Sequence, residues 1–398
     1  MSKKILFFLI INIIIFVSIE LSVKITLKLL GYPTVYKLGN IGDKRYDYLT
    51  GYYNLPNKKE INEKNFSQGT DKYGFNLDGL RNSSKDLTTK DDSTFRIFLL
   101  GGSTAQGRKL IDRSDPISAR LEKNLNKKFA SSGFNFKIIN AGVTSFISSQ
   151  ELALIQYKIL YSFKPDYILV LNGTNDAVIP LGNQHHLSNS HPYQRGFQKN
   201  LHRNYKNFLF FFDDFLSKNI STYFLTKKII EKTTGIFLFG SDTRMLSSNK
   251  ITTDIVKGKT YRYLYNVDLI SKLASENTLI SVFFQPQMLP NNVKNLSNND
   301  QKIYKDFEIK NPKYFVNKQL FYKIIKKEIK LFNSSSNSKK NQYFELVDIS
   351  DLLDNPLDSE NYYSDHVHYT PVSRKILTNA ILKSIEEKIK KKLLRQNL

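Results

Sequence analysis

Apolar and polar residues alternate along this chain with two different periods, and the two periods take turns from residue 95 onward. Short, nearly continuous apolar runs predict buried strands, and they lie at 95–100, 136–140, 166–172, 279–286 and 343–350. Between these runs, apolar residues three or four positions apart predict helices, at 115–130, 148–163 and from about 371 to 394. Strands that alternate with helices indicate a parallel sheet with helices packed against it.

Three stretches depart from this alternation. Residues 32–94 are rich in Tyr, Asn, Gly, Lys and Asp and show few long apolar periods, so we expect an irregular lead-in segment there. The domain then runs from 95 to 398, and we expect two insertions within it, at about 180–275 and 290–342. The first is far longer than an ordinary connection plus one helix, and the second includes a predicted helix near 318–332.

The N-terminal stretch combines two lysines with a long apolar run. Lys3 and Lys4 precede residues 5–19, where only two polar residues break the apolar pattern. A cleaved signal peptide has a similar start but ends in a small-residue cleavage site, which this sequence lacks, and a buried soluble helix would show a polar stripe. We therefore predict an uncleaved, single-pass signal anchor at 1–31 in the cytoplasmic membrane, with the rest of the chain outside the cytoplasm.

Charge and cysteine content narrow the classes of partner. The 398 residues carry a formal net charge of +23 and no cysteine, so disulfides and thiolate metal sites are excluded. Such a charge suits an anionic partner, but the lysines are spread along the chain and no basic block is interleaved with base-stacking aromatics, so we expect no nucleic acid. His185, His186 and His191 lack a nearby acid in the sequence, and we expect no metal and no cofactor.

The first predicted strand ends on Gly101 and Gly102, directly before Ser103. Ligands of open parallel sheets bind beyond the carboxyl ends of the strands, and glycines there let the backbone turn sharply. A phosphate loop is one interpretation, because Gly102 and Gly107 have its spacing, but Arg108 replaces the required lysine. The remaining interpretations are a structural turn and a nucleophilic serine, which needs a base, an acid and an oxyanion site elsewhere.

A base and an acid occur together in the sequence DHVH at 365–368, just before the last predicted helix. The three-residue spacing can bring the Asp365 carboxylate beside the His368 imidazole. A neutral imidazole can take the serine proton near pH 7, and the carboxylate can orient the ring and stabilise the imidazolium. The plain alternative is a polar turn that enters a helix, and within the catalytic interpretation His366 is the other candidate base.

The ends of the second and third predicted strands offer donors for an oxyanion. Gly142 follows the second strand and Asn175 follows the third. The backbone N–H groups of Ser103 and Gly142 and the side-chain amide of Asn175 are therefore the candidate oxyanion hole. Each motif by itself is an ordinary turn signal, but four such sites at the ends of predicted strands favour an active site.

Together these motifs resemble those of the SGNH (GDSL-type) hydrolases. The matching sequences are GGST at 101–104, NAG at 140–142, GTND at 173–176 and DHVH at 365–368. The usual Gly-Asp-Ser is Gly-Gly-Ser here, as in membrane-anchored bacterial members of that family, and the resemblance covers about 95–175 and 279–390. It implies a flavodoxin-like three-layer α/β/α sandwich with a five-stranded parallel sheet, in addition to the N-terminal transmembrane helix.

The resemblance also implies a role for each candidate residue. Ser103 is the implied nucleophile, His368 the base, and Asp365 the acid that orients the base. Gly142 and Asn175 complete the oxyanion hole with the Ser103 amide. The implied activity is that of an ester hydrolase or an O-acyl, in particular acetyl, transferase that works through an acyl-serine on a carbohydrate or cell-surface glycan ester. The alternative is a non-catalytic, membrane-tethered glycan-binding or assembly protein that keeps the fold.

The longer insertion, 180–275, leaves the carboxyl edge of the sheet, where Ser103 lies. Long segments of this kind are often functional loops such as lids. We therefore expect the insertion to form a lid or an acceptor-binding wall over the serine, with the aromatic run NFLFFFDDF at 207–215 partly buried.

Overall fold

The structure of the protein is a computed structural model. It describes residues 3–30, 44–47, 49–54, 75–76, 78–81, 87, 89–107, 115–179, 215–216, 219–234, 253–334, 341–354 and 360–396. The chain forms two compact units, and each combines two separate parts of the sequence. The larger unit comprises Arg45–Pro192 and Met245–Leu398, and the smaller comprises Met1–Lys44 and Tyr193–Arg244. All of the candidate catalytic residues belong to the larger unit.

A five-stranded parallel sheet forms the centre of the larger unit. Before it in the chain, β1 (Lys44–Asp47) and β2 (Gly51–Asn54) form a separate two-stranded sheet. The five parallel strands are β3 (Thr94–Gly101), β4 (Asn135–Asn140), β5 (Tyr167–Asn172), β6 (Leu279–Phe284) and β7 (Phe344–Asp348). Their spatial order is β4-β3-β5-β6-β7, which is the flavodoxin-like order when the five are counted along the chain. The predicted fold class is therefore confirmed.

Helices connect the strands and continue the chain on both sides of the sheet. They are α1 (Lys3–Leu29), α2 (Ser103–Gln106), α3 (Ile117–Lys128), α4 (Ser148–Leu154), α5 (Leu160–Phe163), α6 (Thr174–Val178), α7 (Ser221–Thr234), α8 (Thr253–Lys272), α9 (Asn298–Lys310), α10 (Pro312–Ser334) and α11 (Pro371–Gln396). A π-helical turn, Ile155–Ile159, joins α4 to α5. Short 3-10 turns lie at Ala130–Ser132 and Val293–Asn295.

Both faces of the sheet are covered, because alternate residues of a strand point to opposite faces. On one face, Phe283 belongs to an apolar cluster that includes residues of α3 and Ile381 of α11. On the other face, Phe284 packs against Tyr263 of α8, with ring centroids 5.8 Å apart, and against Tyr322 of α10, at 4.6 Å. The sheet therefore lies between two helical layers, and this explains why β5 and β6 are apolar along their whole length.

Part of the predicted lead-in segment is built into the larger unit, which begins at Arg45 rather than at residue 95. Tyr52 and Tyr53 on β2 are fully buried. Arg81 is also buried, and its guanidinium donates to two backbone carbonyls at the end of α2, at 2.9 and 2.7 Å. These residues follow no apolar period, and the sequence therefore lacks the main signal from which their burial could be predicted.

The expected insertion at 180–275 is shorter in the structure. Its last part is α8, which packs on β6 and is the crossover helix between β5 and β6, so it belongs to the sandwich itself. The lid prediction rests mainly on residues 180–214 and 235–252, which lie outside the described residues. The second insertion contains α9 and α10, and α10 includes the helix that was predicted near 318–332.

The smaller unit pairs the N-terminal helix with α7. The stretch Ile5–Leu29 contains an 18-residue window with a mean hydropathy of 2.6, and it is long and apolar enough to cross a membrane. Glu20 is the acidic residue of the stretch, and its carboxylate accepts hydrogen bonds from the backbone N–H groups of Ser221 (2.5 Å) and Thr222 (2.9 Å). These N–H groups begin α7 and have no partner within that helix, so the Glu20 carboxylate caps α7.

Candidate active site

The strand β3 ends where two glycines leave no room for side chains. Gly101 has a φ of +140°, and a Cβ built there would lie 2.2 Å from the carbonyl oxygen of Leu171. A Cβ on Gly102 would lie 2.4 Å from the Nδ2 atom of Asn175. The positive φ and the backbone contact therefore require glycine at position 101, and the Gly-Gly turn places Ser103 as the first residue of α2.

Ser103, His368 and Asp365 lie together at the carboxyl edge of the sheet. Ser103 Oγ is 2.8 Å from His368 Nε2, and His368 Nδ1 is 2.7 Å from Asp365 Oδ2. The other carboxylate oxygen, Asp365 Oδ1, accepts the backbone N–H groups of Val367 and His368, both at 2.9 Å. The three side chains that the sequence singles out are therefore connected by hydrogen bonds, although 265 positions separate the serine from the histidine.

The environment of Asp365 favours its ionised form. Burial raises the pKa of this carboxyl, but the hydrogen bonds and charge of His368 and the backbone N–H of Val367 lower it by more, so its pKa lies well below the usual range. An anionic Asp365 keeps the proton of a neutral His368 on Nδ1. The lone pair of Nε2 then faces Ser103 Oγ and can accept its proton.

The ring of His366 lies in a different environment. It stacks on Phe307 of α9, with ring centroids 3.6 Å apart, and meets Tyr314 of α10 edge-on at 5.5 Å. Burial lowers the pKa of His366 to about 4, so the ring is neutral at pH 7. The alternative assignment of His366 as the base therefore has no support in the geometry, because it is His368 that is hydrogen-bonded to Ser103.

The three candidate oxyanion donors differ in their availability. The Ser103 N–H lies in the first turn of α2, where backbone N–H groups have no partner within the helix. Asn175 Nδ2 uses one hydrogen to bond the carbonyl oxygen of Phe146 at 2.8 Å, which leaves its second hydrogen. The Gly142 N–H, by contrast, donates to Asn140 Oδ1 at 2.9 Å. The predicted donor Gly142 is thus occupied in this structure, because the side chain two positions earlier folds back onto it.

Ser145 shapes the loop that orients Asn175. Its φ of 65° lies in the left-handed region, where a non-glycine residue is strained. It stands between Thr144, whose Oγ1 donates to Gln106 Oε1 at 2.5 Å, and Phe146, whose carbonyl accepts from Asn175. Nothing in the sequence marks Ser145, because serine has no particular preference for a positive φ.

Polar side chains hold α2 in place from both sides. Gln106 Nε2 donates to Asn54 Oδ1 at 2.7 Å, and Asn54 Nδ2 in turn donates to the carbonyl of Gly142 at 3.0 Å. On the other side, Thr104 Oγ1 donates to Gln285 Oε1 at 2.8 Å, directly after β6. Thr104 belongs to the GGST motif and Gln285 to the predicted strand 279–286, but nothing in the sequence indicates that these two side chains are in contact.

A buried ion pair supports the helix that carries Asn175. The next residue, Asp176, accepts a hydrogen bond from Ser148 Oγ at 2.6 Å, and its Oδ1 lies 3.4 Å from Arg262 Nη2 of α8. Burial raises the pKa of Asp176, and the Arg262 charge partly offsets this effect. Lys259, also on α8, donates to a carbonyl of α6 at 2.8 Å, and burial lowers its pKa to about 7. These contacts attach α6 to α4 and α8.

Among the described residues, no group of three or more His, Cys, Asp or Glu side chains is placed to hold a metal ion. His185, His186 and His191 lie outside these residues. The expectation that their loop binds no metal stays a prediction.

Comparison with known proteins identifies similar solved structures. No family profile matches the chain, and no curated protein matches it. The chain is similar to the crystal structure of an alpha/beta hydrolase from the metagenome of Lake Arreo, Spain, with 10% identity and a TM-score of 0.38 over 75% of this chain and 97% of that one. It is also similar to an acetylxylan esterase from Geobacillus stearothermophilus, with 12% identity and a TM-score of 0.38 over 73% and 93% of the two chains. A lipase/acylhydrolase from Enterococcus faecalis matches with 14% identity and a TM-score of 0.36 over 74% and 96%.

Proposed function

We propose that this protein is a serine ester hydrolase or O-acyltransferase of the SGNH type. The observation that carries the proposal is the hydrogen-bonded series from Ser103 through His368 to Asp365, with distances of 2.8 and 2.7 Å. It lies beyond the carboxyl ends of a doubly wound parallel sheet, which is where ligands of such folds bind. A nucleophile, a base and an orienting acid in this geometry are what acyl transfer through serine requires.

In the proposed first step, Ser103 Oγ attacks the ester carbonyl while His368 Nε2 takes its proton. The imidazolium that forms is stabilised by the anionic Asp365, and it then gives the proton to the leaving alcohol. The carbonyl oxygen becomes negative in the tetrahedral intermediate and needs donors on one side. The Ser103 N–H and the second hydrogen of Asn175 Nδ2 are the donors we propose.

In the second step, the acyl-serine is released to an acceptor. His368 takes a proton from water or from a sugar hydroxyl, whose oxygen attacks the acyl carbon. His368 then gives this proton to Ser103 Oγ as the bond between the serine oxygen and the acyl carbon breaks. Hydrolysis and transfer therefore use the same residues and differ only in which acceptor reaches the acyl-serine. An acetyl ester on a carbohydrate or cell-surface glycan is the substrate class we propose, because the catalytic unit follows a predicted signal anchor.

The location is part of the same proposal. In it, α1 crosses the cytoplasmic membrane once, and Lys3 and Lys4 keep its N-terminus in the cytoplasm. A reporter enzyme fused to the C-terminus should then be active only outside the cytoplasm. Activity inside the cytoplasm, or a mature N-terminus between residues 20 and 32, would overturn the anchor.

The proposed activity is tested by covalent labelling of the full chain in neutral detergent. A fluorophosphonate probe should label the wild type and fail to label Ser103→Ala, while both proteins unfold at the same temperature. With an acetyl ester as donor and an oligosaccharide as acceptor, free acetate indicates hydrolysis and an acetylated sugar indicates transfer. A folded wild type that neither reacts with the probe nor turns over esters would favour the second candidate, a non-catalytic glycan-binding or assembly protein.

A further inference from the structure

A cavity of about 780 Å³ lies at the amino-terminal edge of the sheet, opposite to the edge that carries Ser103. Its wall includes Pro165, Thr278 and Tyr343, which precede β5, β6 and β7 respectively. Its charged lining is mostly basic: Lys90, Lys164, Lys388, Lys391, Lys392 and Arg395, with Asp166 and Glu276 as the acids. The cavity is within the size range of small-molecule sites, and the proposed ester chemistry makes no use of it.

One wall of the cavity is a stripe of cations on α11. Lys388, Lys391, Lys392 and Arg395 are separated by three, one and three positions, a spacing that places side chains on one face of a helix. At 1.5 Å per residue, the stripe is about 10 Å long. Lys164 faces this cavity from the end of α5, so cations line it from two separate elements.

The ammonium groups of this cavity have unused hydrogen-bonding capacity. The Nζ atom of Lys388 is buried and makes no hydrogen bond to the described residues; its ion-pair partner, Glu345 Oε2, lies 3.4 Å away. Lys392 Nζ donates to the carbonyls of Glu276 and Asn277, at 2.9 and 2.7 Å, and an ammonium has a third hydrogen. An anion bound in the cavity can accept this third hydrogen, and it is also attracted by the positive charge of Lys388.

The backbone at Lys164 supports the same conclusion independently. Lys164 ends α5 with a φ of 43°, in the left-handed region. Glycine is the usual residue at this position of a helix end, because a side chain is strained there. A lysine at this position therefore costs stability, and its side chain lines the cavity. Strained residues concentrate at binding and catalytic sites.

We propose that this cavity binds a phosphate-bearing anion with two or more negative charges. Five of the six lining cations are lysines, and a lysine ammonium binds a phosphate group as a point charge. Six cations against two acids leave an excess of four positive charges in the lining. The phosphate belongs to a soluble phosphorylated compound or to a phospholipid headgroup, and the two sources share this chemistry.

The binding should depend on pH. Burial lowers the pKa of Lys392 to about 8, and the charges of Lys90 and Arg395 act in the same direction, against Asp166 and Glu276. A bound anion favours the protonated lysine and raises its pKa. The affinity therefore falls as the pH rises through about 8, where Lys392 loses its proton.

Calorimetric titration of the full chain in neutral detergent tests the proposal, with pyrophosphate at constant ionic strength as the probe. The double variant Lys391→Gln/Arg395→Gln removes two exposed cations of the cavity, so pyrophosphate should bind at least about tenfold more weakly. The matched control is Lys375→Gln/Lys383→Gln, which removes two exposed lysines of the same helix outside the cavity. Equal affinities in the two double variants would overturn the proposal.

The substitution Lys164→Gly tests whether the Lys164 side chain binds the anion or has only a structural role. Glycine relieves the positive φ, so the thermal unfolding temperature should rise. If Lys164 contributes to the site, pyrophosphate affinity falls in the same variant. An unchanged affinity in this stabilised protein would contradict the assigned role of Lys164 and, with it, the site.

Short-chain phosphatidic acid and short-chain phosphatidylcholine distinguish the two sources of phosphate. Binding of phosphatidic acid that is weakened in Lys391→Gln/Arg395→Gln and exceeds that of phosphatidylcholine points to a lipid headgroup. Binding of pyrophosphate alone points to a soluble compound, and binding of neither probe refutes the site. Ser103→Ala should bind the anion as the wild type does, so this result is independent of the proposed esterase activity.

Discussion

Asp365→Asn tests the proposed base most directly. Asparagine has nearly the same shape, so its Oδ1 can still accept the N–H groups of Val367 and His368, which are 2.9 Å from the carboxylate. Its Nδ2 would replace the Oδ2 atom that lies 2.7 Å from His368 Nδ1. Because an amide NH2 donates, it favours the tautomer that carries the proton on Nε2. That tautomer cannot accept the proton of Ser103.

The size of the loss follows from two contributions. Two unit charges about 4 Å apart attract by ~1 kcal/mol in water and by ~4 kcal/mol at an effective dielectric constant of about 20. The Asp365 side chain is 49% exposed, so the stabilisation of the imidazolium lies between these limits, and each ~1.4 kcal/mol is a factor of ten in rate. The wrong tautomer lowers the rate further. The same substitution in a serine protease lowers kcat by about 10⁴-fold, which is the upper limit we expect here. We therefore expect kcat/KM to fall by about 10²- to 10⁴-fold.

The assay is the rate of ester hydrolysis and of fluorophosphonate labelling, measured with the unfolding temperature of each variant. Asp351→Asn is the matched control, because it removes an exposed carboxylate that pairs with Lys326 and touches no part of the site. The control should keep full activity. A folded Asp365→Asn protein that loses less than about fivefold in kcat/KM would refute the assignment of Asp365 as the residue that orients His368.

The sheet was predictable because its signals are local. β5 and β6 are buried on both faces, so each appears in the sequence as an unbroken apolar run. The burial of Tyr52 and Arg81 was not predictable, because single buried residues do not form a periodic apolar pattern in the sequence. The predicted insertion at about 180–275 includes the crossover helix α8 for a related reason. This helix buries polar residues such as Asn266 beside apolar ones, and the mixture weakens the amphipathic pattern by which a helix is predicted.

The candidate site was predictable where chemistry and spacing coincide. Asp365 and His368 are three positions apart and precede a helix, so their contact depends only on residues that are close in the sequence. The same is true of the Gly-Gly turn before Ser103. The occupation of the Gly142 N–H by Asn140 was not predictable, because it depends on the direction in which the Asn140 side chain points. The basic cavity was not predictable either, since Lys164 and Lys391 are far apart in the chain and come together only at the amino-terminal edge of the folded sheet.

Three further substitutions test the site and its support. Asn175→Ala removes the side-chain oxyanion donor, so kcat for ester hydrolysis should fall about 100- to 1000-fold; an unchanged kcat would exclude Asn175 from the oxyanion hole. His366→Ala should keep most acyl-enzyme formation, because its ring stacks on Phe307, and loss of probe labelling in a folded variant would make His366 the base. The third concerns Glu151, which is fully buried, so burial raises its pKa well above the usual value while its Oε2 accepts from Asn172 Nδ2 at 2.5 Å. In the unfolded chain this carboxyl ionises above about pH 4.3, whereas in the folded protein it stays protonated. Because the unfolded chain then binds fewer protons, the free energy of unfolding decreases as the pH rises above that value. Glu151→Gln keeps an oxygen that can accept from Asn172 and cannot ionise. The free energy of unfolding of the variant relative to the wild type should therefore increase between pH 5 and pH 8 in urea titrations, and a difference that stays constant with pH would contradict a neutral Glu151 in the folded protein.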